Sequence, residues 1–147
     1  MMPQTVEETL VQAKLVTDGT DYVLVKLPPR AITAAAGVIA EIGEPFCALM
    51  ADQYEVTLII PAEAVADFVT RLPGHTVAPD RYRLITFDVT LDFSLVGFMA
   101  AVSAALADAG VSILAYAAYS RDHVLVHADE FDLAMKTLHQ LQSRHTE

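Results

Sequence analysis

The chain lacks most of what marks the commoner function classes. Its single cysteine, Cys47, excludes an internal disulfide and a cysteine-rich metal site, and it suits a reducing compartment. Positive charge is scarce. Nine Lys and Arg against nineteen Asp and Glu leave a formal net charge of −10, which argues against a surface that displaces counterions from nucleic acid or an anionic membrane. Strictly apolar runs such as Leu95 to Val102 fall far short of the roughly twenty residues of a membrane helix. The N-terminal MMPQTVEETL is acidic and has no basic region leading into an apolar stretch, so no signal peptide is expected. A soluble, cytoplasmic protein is the expectation. The six glycines, at 19, 37, 43, 74, 97 and 110, are scattered and form no phosphate-cradling loop.

What is present is apolar residues. They make up 54% of 147 residues, with a mean hydropathy of +0.40, enough to fill one domain or two subdomains of about seventy residues. So high a hydropathy in a small chain also points to apolar surface covered by a second subunit.

Local signals divide the chain into elements. Thr5-Val6-Glu7-Glu8 is a capping box and predicts a helix over 6–13. Asp18-Gly19 is a turn, and residues 22–27 form a β-rich run stopped by Pro28-Pro29. Residues 31–42 read as a helix closed by Gly43. Strands follow at 46–50 and 55–60, and Pro61 opens a helix to about 72. After a linker at 74–81 the same grammar returns: strand 83–90, helix 94–109, strands 111–119 and 123–127, and helix 130–141.

Each half reads strand, helix, strand, strand, helix, and the halves correspond residue by residue. Tyr22-Val23-Leu24 matches Tyr82-Arg83-Leu84, and residues 55–58 match 123–126. This is a duplication, with a first unit at 1–73, the linker at 74–81 and a second unit at 82–147. A ferredoxin-like unit needs one more strand after its second helix. Thr76-Val77-Ala78 can provide it for the first half, and Lys14-Leu15-Val16-Thr17, crossing over, for the second.

The stretch Leu91-Asp92-Phe93-Ser94-Leu95-Val96-Gly97 is followed by residues 107–115, ADAGVSILA, and 118–126, AYSRDHVLV. Together they resemble tandem ACT domains, and are similar to the subgroup containing the cytosolic arginine sensors and short bacterial ACT proteins. The resemblance covers Tyr82 to about Leu138, and the first half matches in outline. It departs at Val89-Thr90, in place of Gly-Pro, and at Arg121-Asp122-His123, in place of a Thr-Asp-Tyr-like turn. The resemblance implies an α+β fold of two ferredoxin-like (βαββαβ) ACT units, with antiparallel sheets and helices on one face. It also implies a regulatory function: a free amino acid bound as ligand, a homodimer, and an effect exerted through a partner protein.

The implied ligand site comprises Asp92, Phe93 and Ser94, together with Gly110, Val111, Ser112 and Ile113. Free amides of a helix starting near Ser94 would receive a carboxylate, Asp92 the ammonium group, and Gly110 a close backbone approach. A bland reading stands beside this one: Asp92 or Ser94 as an N-cap and Gly110 as a helix stop. Arg121-Asp122-His123 is a hairpin turn of solvated charge. Alternatively Arg121 or Asp122 folds over the pocket, with Arg121 favouring an acidic ligand.

Chemistry has thin support. His123 and His127 share a strand face about 13 Å apart, too far for one zinc ion. Cys47 lies in an apolar run, and Ser94 and Ser120 lack a nucleophile elbow. No catalytic residue, metal or cofactor is expected. Two competing readings remain, a ligand-free assembly module and, more weakly, a small enzyme on a ferredoxin-like fold.

Overall fold

In the computed structural model, which describes residues 4–146, the Thr5 hydroxyl accepts the Glu8 amide at 3.2 Å and starts α1 (Val6–Gln12). Residues 1–3 and 147, the ends of the two expected units, lie outside the described part. Strands and helices follow in the order β1 (Lys14–Val16), β2 (Asp21–Leu27), α2 (Ile32–Ile42), β3 (Ala48–Ala51) and β4 (Val56–Pro61). Then come α3 (Val65–Phe68), β5 (Thr76–Val77), β6 (Tyr82–Asp88), α4 (Phe98–Asp108), β7 (Ile113–Ala117), β8 (Asp122–His127) and α5 (Phe131–Arg144). No helix among the described residues is long and apolar enough to cross a membrane.

The chain divides into two units. One is Asp18–Tyr82; the other joins the segment before Asp18 to everything after Tyr82. In the first the strand order is β3-β4-β2-β5, antiparallel throughout. Alternation along β2 and β4 puts Val25, Leu27, Leu58 and Ile60 into one core with Ala35 and Val38 of α2. Gly43, at φ 63°, ends α2 in a conformation that costs glycine little. The helix expected over 61–72 is broken: α3 is four residues long between two 3-10 turns. β-branched Val65, Val69 and Thr70 restrict χ1 and give this stretch little intrinsic helicity.

In the second unit the order is β1-β6-β8-β7, the same pattern with β1 in the place that β5 holds in the first. Lys14, Leu15 and Val16 pair with Asp88, Phe87 and Thr86. Phe98, Val102 and Leu106, four residues apart on α4, are buried with Ile85, Phe87, Val124 and Val126. From α1 comes Leu10, and from α5 Ala134, Leu138 and Leu141. Gln142 Nε2 donates to the carbonyls of Leu10 (2.9 Å) and Ala13 (2.6 Å), satisfying orphan acceptors at the end of α1.

Candidate functional site

The segment between β6 and α4 builds the site. Asp92 and Leu95 close a turn through the Leu95 amide and Asp92 carbonyl at 3.0 Å, and Gly97 takes φ 96° immediately before the helix. That positive φ suits glycine and separates the turn from α4. The helix therefore begins at Phe98, four residues later than expected. Neither Asp92 nor Ser94 is its N-cap; Gly97 is, and it supplies no side-chain cap.

Three tethers hold the loop. Gln4 Nε2 donates to the Thr90 carbonyl (2.7 Å) while its Oε1 accepts the Asp92 amide (2.9 Å). The Leu91 amide donates to the Ser120 carbonyl at 2.8 Å, joining the loop to the β7–β8 hairpin. Phe93 and Tyr119 meet edge-on, centroids 5.1 Å apart, yet are 80% and 84% exposed. Between loop, helix start and hairpin lies a cleft of about 520 Å³.

Asp92, Phe93, Arg121 and Asp122 line this cleft; Ser94, Gly110, Val111, Ser112 and Ile113 do not. Gly110 and Val111 instead end α4, their amides donating to Ala107 and Leu106. Val111 is part of the core. An eleven-residue helix puts that end about 16 Å from the start. Residues missed in the sequence include Gly97, Phe98, Met99 and Ala100 at the start of α4, and Tyr119 of the hairpin, all of which line the cleft. Gly97 was the available signal, three residues past the Leu-Asp-Phe-Ser stretch.

Arg121 ends the hairpin turn instead of occupying it, and Asp122 and His123 already belong to β8. Its guanidinium donates to Asp88 (2.8 Å) and to the Ser120 hydroxyl (3.2 Å). An acidic ligand at Arg121 would have to compete with this half-exposed pair. The remaining charges in the lining, Asp92 and Asp122, are both acidic. Burial pushes the Asp122 carboxyl above its ordinary value, against an opposing pull from His123.

His123 shares a 2.8 Å hydrogen bond between Nδ1 and the Thr86 hydroxyl. Burial pushes its pKa below the ordinary 6.5, with Asp122 opposing and Arg121 reinforcing. The unfolded chain therefore takes up this proton before the folded one does. Stability falls as pH drops below about 6.5 and the loss levels off below the lowered native value. Asp122, raised, works the other way: its contribution is present at low pH and fades as pH rises through its native value. His123→Gln is expected to flatten the decline between about pH 7 and pH 5, read from urea midpoints. An unchanged pH dependence would remove His123 as its source.

Residues 77–140, which include the whole cleft, match the family model described as an ACT domain. No curated protein matches the sequence. Among solved structures, a Vibrio cholerae protein of unknown function, described as a possible transport protein, superposes with a TM-score of 0.71 at 25% identity. The match covers 94% of this chain and 96% of that one. An Agrobacterium tumefaciens protein gives 0.66 at 19% identity, covering 88% and 89%. The ligand-free regulatory subunit of aspartate kinase from Thermus thermophilus gives 0.68 at 14%, covering 87% and 97%. The chain thus carries an ACT-domain match over residues 77–140 and has, over most of its length, the fold of an aspartate kinase regulatory subunit.

Proposed function

We propose that this is a non-catalytic regulatory protein that binds an α-amino acid in the cleft beside α4 and acts through a partner protein. The observation that carries this reading is the start of α4, which has no side-chain cap and opens into a cleft bearing Asp92 and Asp122. A ligand carboxylate accepts hydrogen bonds from the first amides of the helix, aided by the positive end of its dipole. Asp92 or Asp122 takes the ammonium group, and the apolar walls at Phe93, Phe98 and Tyr119 receive the side chain. The ACT-domain match over residues 77–140 supports the reading, as does the strand order repeated in the two units, the order expected of a ferredoxin-like ACT pair. In the cell we place the protein in the cytoplasm as a homodimer.

Thermal unfolding in the presence of each of the twenty amino acids tests it. A ligand at about one hundred times its dissociation constant adds about 2.7 kcal/mol, which raises the midpoint by several degrees in a chain of this size. One or two amino acids are expected to do so, and Asp92→Ala to abolish the shift. A second reading, an assembly module without a ligand, is favoured by the exposure of Phe93 and Tyr119 in the cleft lining and of Val96 in the same loop. No shift from any amino acid would favour it.

A further inference from the structure

We infer that the Asp18–Tyr82 unit carries a second binding cleft, opposite in charge to the first, for a small organic anion with an apolar or aromatic body. It has a volume of about 400 Å³. Its position repeats that of the first: the loop after the opening strand, here Pro28-Pro29-Arg30, faces Tyr54 in the hairpin between β3 and β4. The chemistry is inverted. Lys26 and Arg30 line this cleft and no carboxylate does.

Arg30 is the decisive group. In a chain of net charge −10, Arg71, Arg81 and Arg121 each pair with a carboxylate, whereas Arg30 has no ion pair among the described residues. It also precedes α2, at the positive end of the helix dipole, and the first turn of α2 contains no acid to offset it. That arrangement disfavours the empty state and is relieved by an anion. Lys26 is held loosely, 3.8 Å from Glu55 with its side chain 70% exposed, so it is available to the same anion.

The walls are fixed. Pro28 and Pro29 restrict the loop at the base of Arg30. Gly74, at φ 71°, lies against them; a Cβ there would come within 3.1 Å of Pro28 and 3.8 Å of the Arg30 guanidinium. Tyr54 is 76% exposed, while its amide and that of Glu55 donate to Asp52 Oδ1 at 2.8 and 2.9 Å, fixing the turn that presents the ring. A carboxylate or phosphate fits the Arg30 fork, and a ring or aliphatic body fits Tyr54 and the prolines.

The test is an NMR titration of the full chain with phenylacetate, acetate and inorganic phosphate. Phenylacetate is expected to shift the amides of Arg30, Tyr54 and Gly74 saturably, and acetate to bind more weakly. Arg30→Gln should weaken phenylacetate by at least about tenfold with an unliganded melting midpoint no lower than that of the wild type, and Asp92→Ala should leave phenylacetate binding intact. Non-saturating shifts, or equal affinity in Arg30→Gln, would overturn the site. Phosphate binding more tightly than phenylacetate would overturn the organic-anion assignment. Neither result touches the amino-acid cleft, whose test uses a different ligand and variant.

Discussion

Phe87→Ala is expected to lower the unfolding free energy by about 3–5 kcal/mol. Phe87 is 1% exposed on β6, and its ring stands edge-on to Phe98 with centroids 5.5 Å apart. Truncation loses the transfer free energy of the ring, leaves a cavity that the surrounding strands cannot fully close, and removes an aromatic pair. Because Phe98 is the first residue of α4, the void opens beneath the helix start that lines the cleft. Urea titration should show a lower midpoint at constant slope. Phe87→Leu, which keeps more of the volume, should retain more of the stability. A cost below about 1 kcal/mol for the alanine variant would mean that Phe87 does not lie at the packed centre of its unit.

Leu10→Ala is expected to cost about 2–5 kcal/mol, and its effect should be greatest in the N-terminal segment. Leu10 is 2% exposed and packs from α1 into the core formed by β6, β8, α4 and α5. Gln142 accounts for the carbonyls of Leu10 and Ala13, so α1 is docked by Leu10, with Val6 and Ala13 packed on the same core, and by one side-chain amide. Loosening that dock exposes the β1 ladder, three residues long, to local opening. Hydrogen exchange is the direct readout: amides of Lys14–Val16 should lose protection before those of β8. If β1 keeps its wild-type protection, its pairing with β6 does not depend on α1.

Much of this architecture was legible in the residues. Thr5-x-x-Glu8 marks the start of α1, and the Thr5 hydroxyl accepts the Glu8 amide there. Gly43 closes α2 where expected, and the strand runs at 22–27 and 55–60 differ from β2 and β4 by one residue at their ends. The start of α4 was not legible. Leu95, Phe98 and Val102 fit a helical stripe, so periodicity carries the helix back to Ser94; the Asp92–Leu95 turn and the positive φ at Gly97 override it. The site was legible only in part for the same reason. Asp92, Phe93, Arg121 and Asp122 gather in one cleft, while a helix of eleven residues carries the Gly110 end away from it.

By itself the sequence determined the kinds of element and most of their limits, since caps, turn residues and apolar periodicity act within a few neighbouring positions. It also determined the duplicated order of those elements and the acidic balance of the chain. Only the tertiary structure decided which groups meet. Gln4 reaches Thr90 and Asp92 across 86 and 88 positions, and Arg121 reaches Asp88 across 33. Those hydrogen bonds form after strands from distant parts of the chain have paired, and no local pattern records them. The charge left open in each cleft, acidic in one and basic in the other, is what remains after such pairings are made.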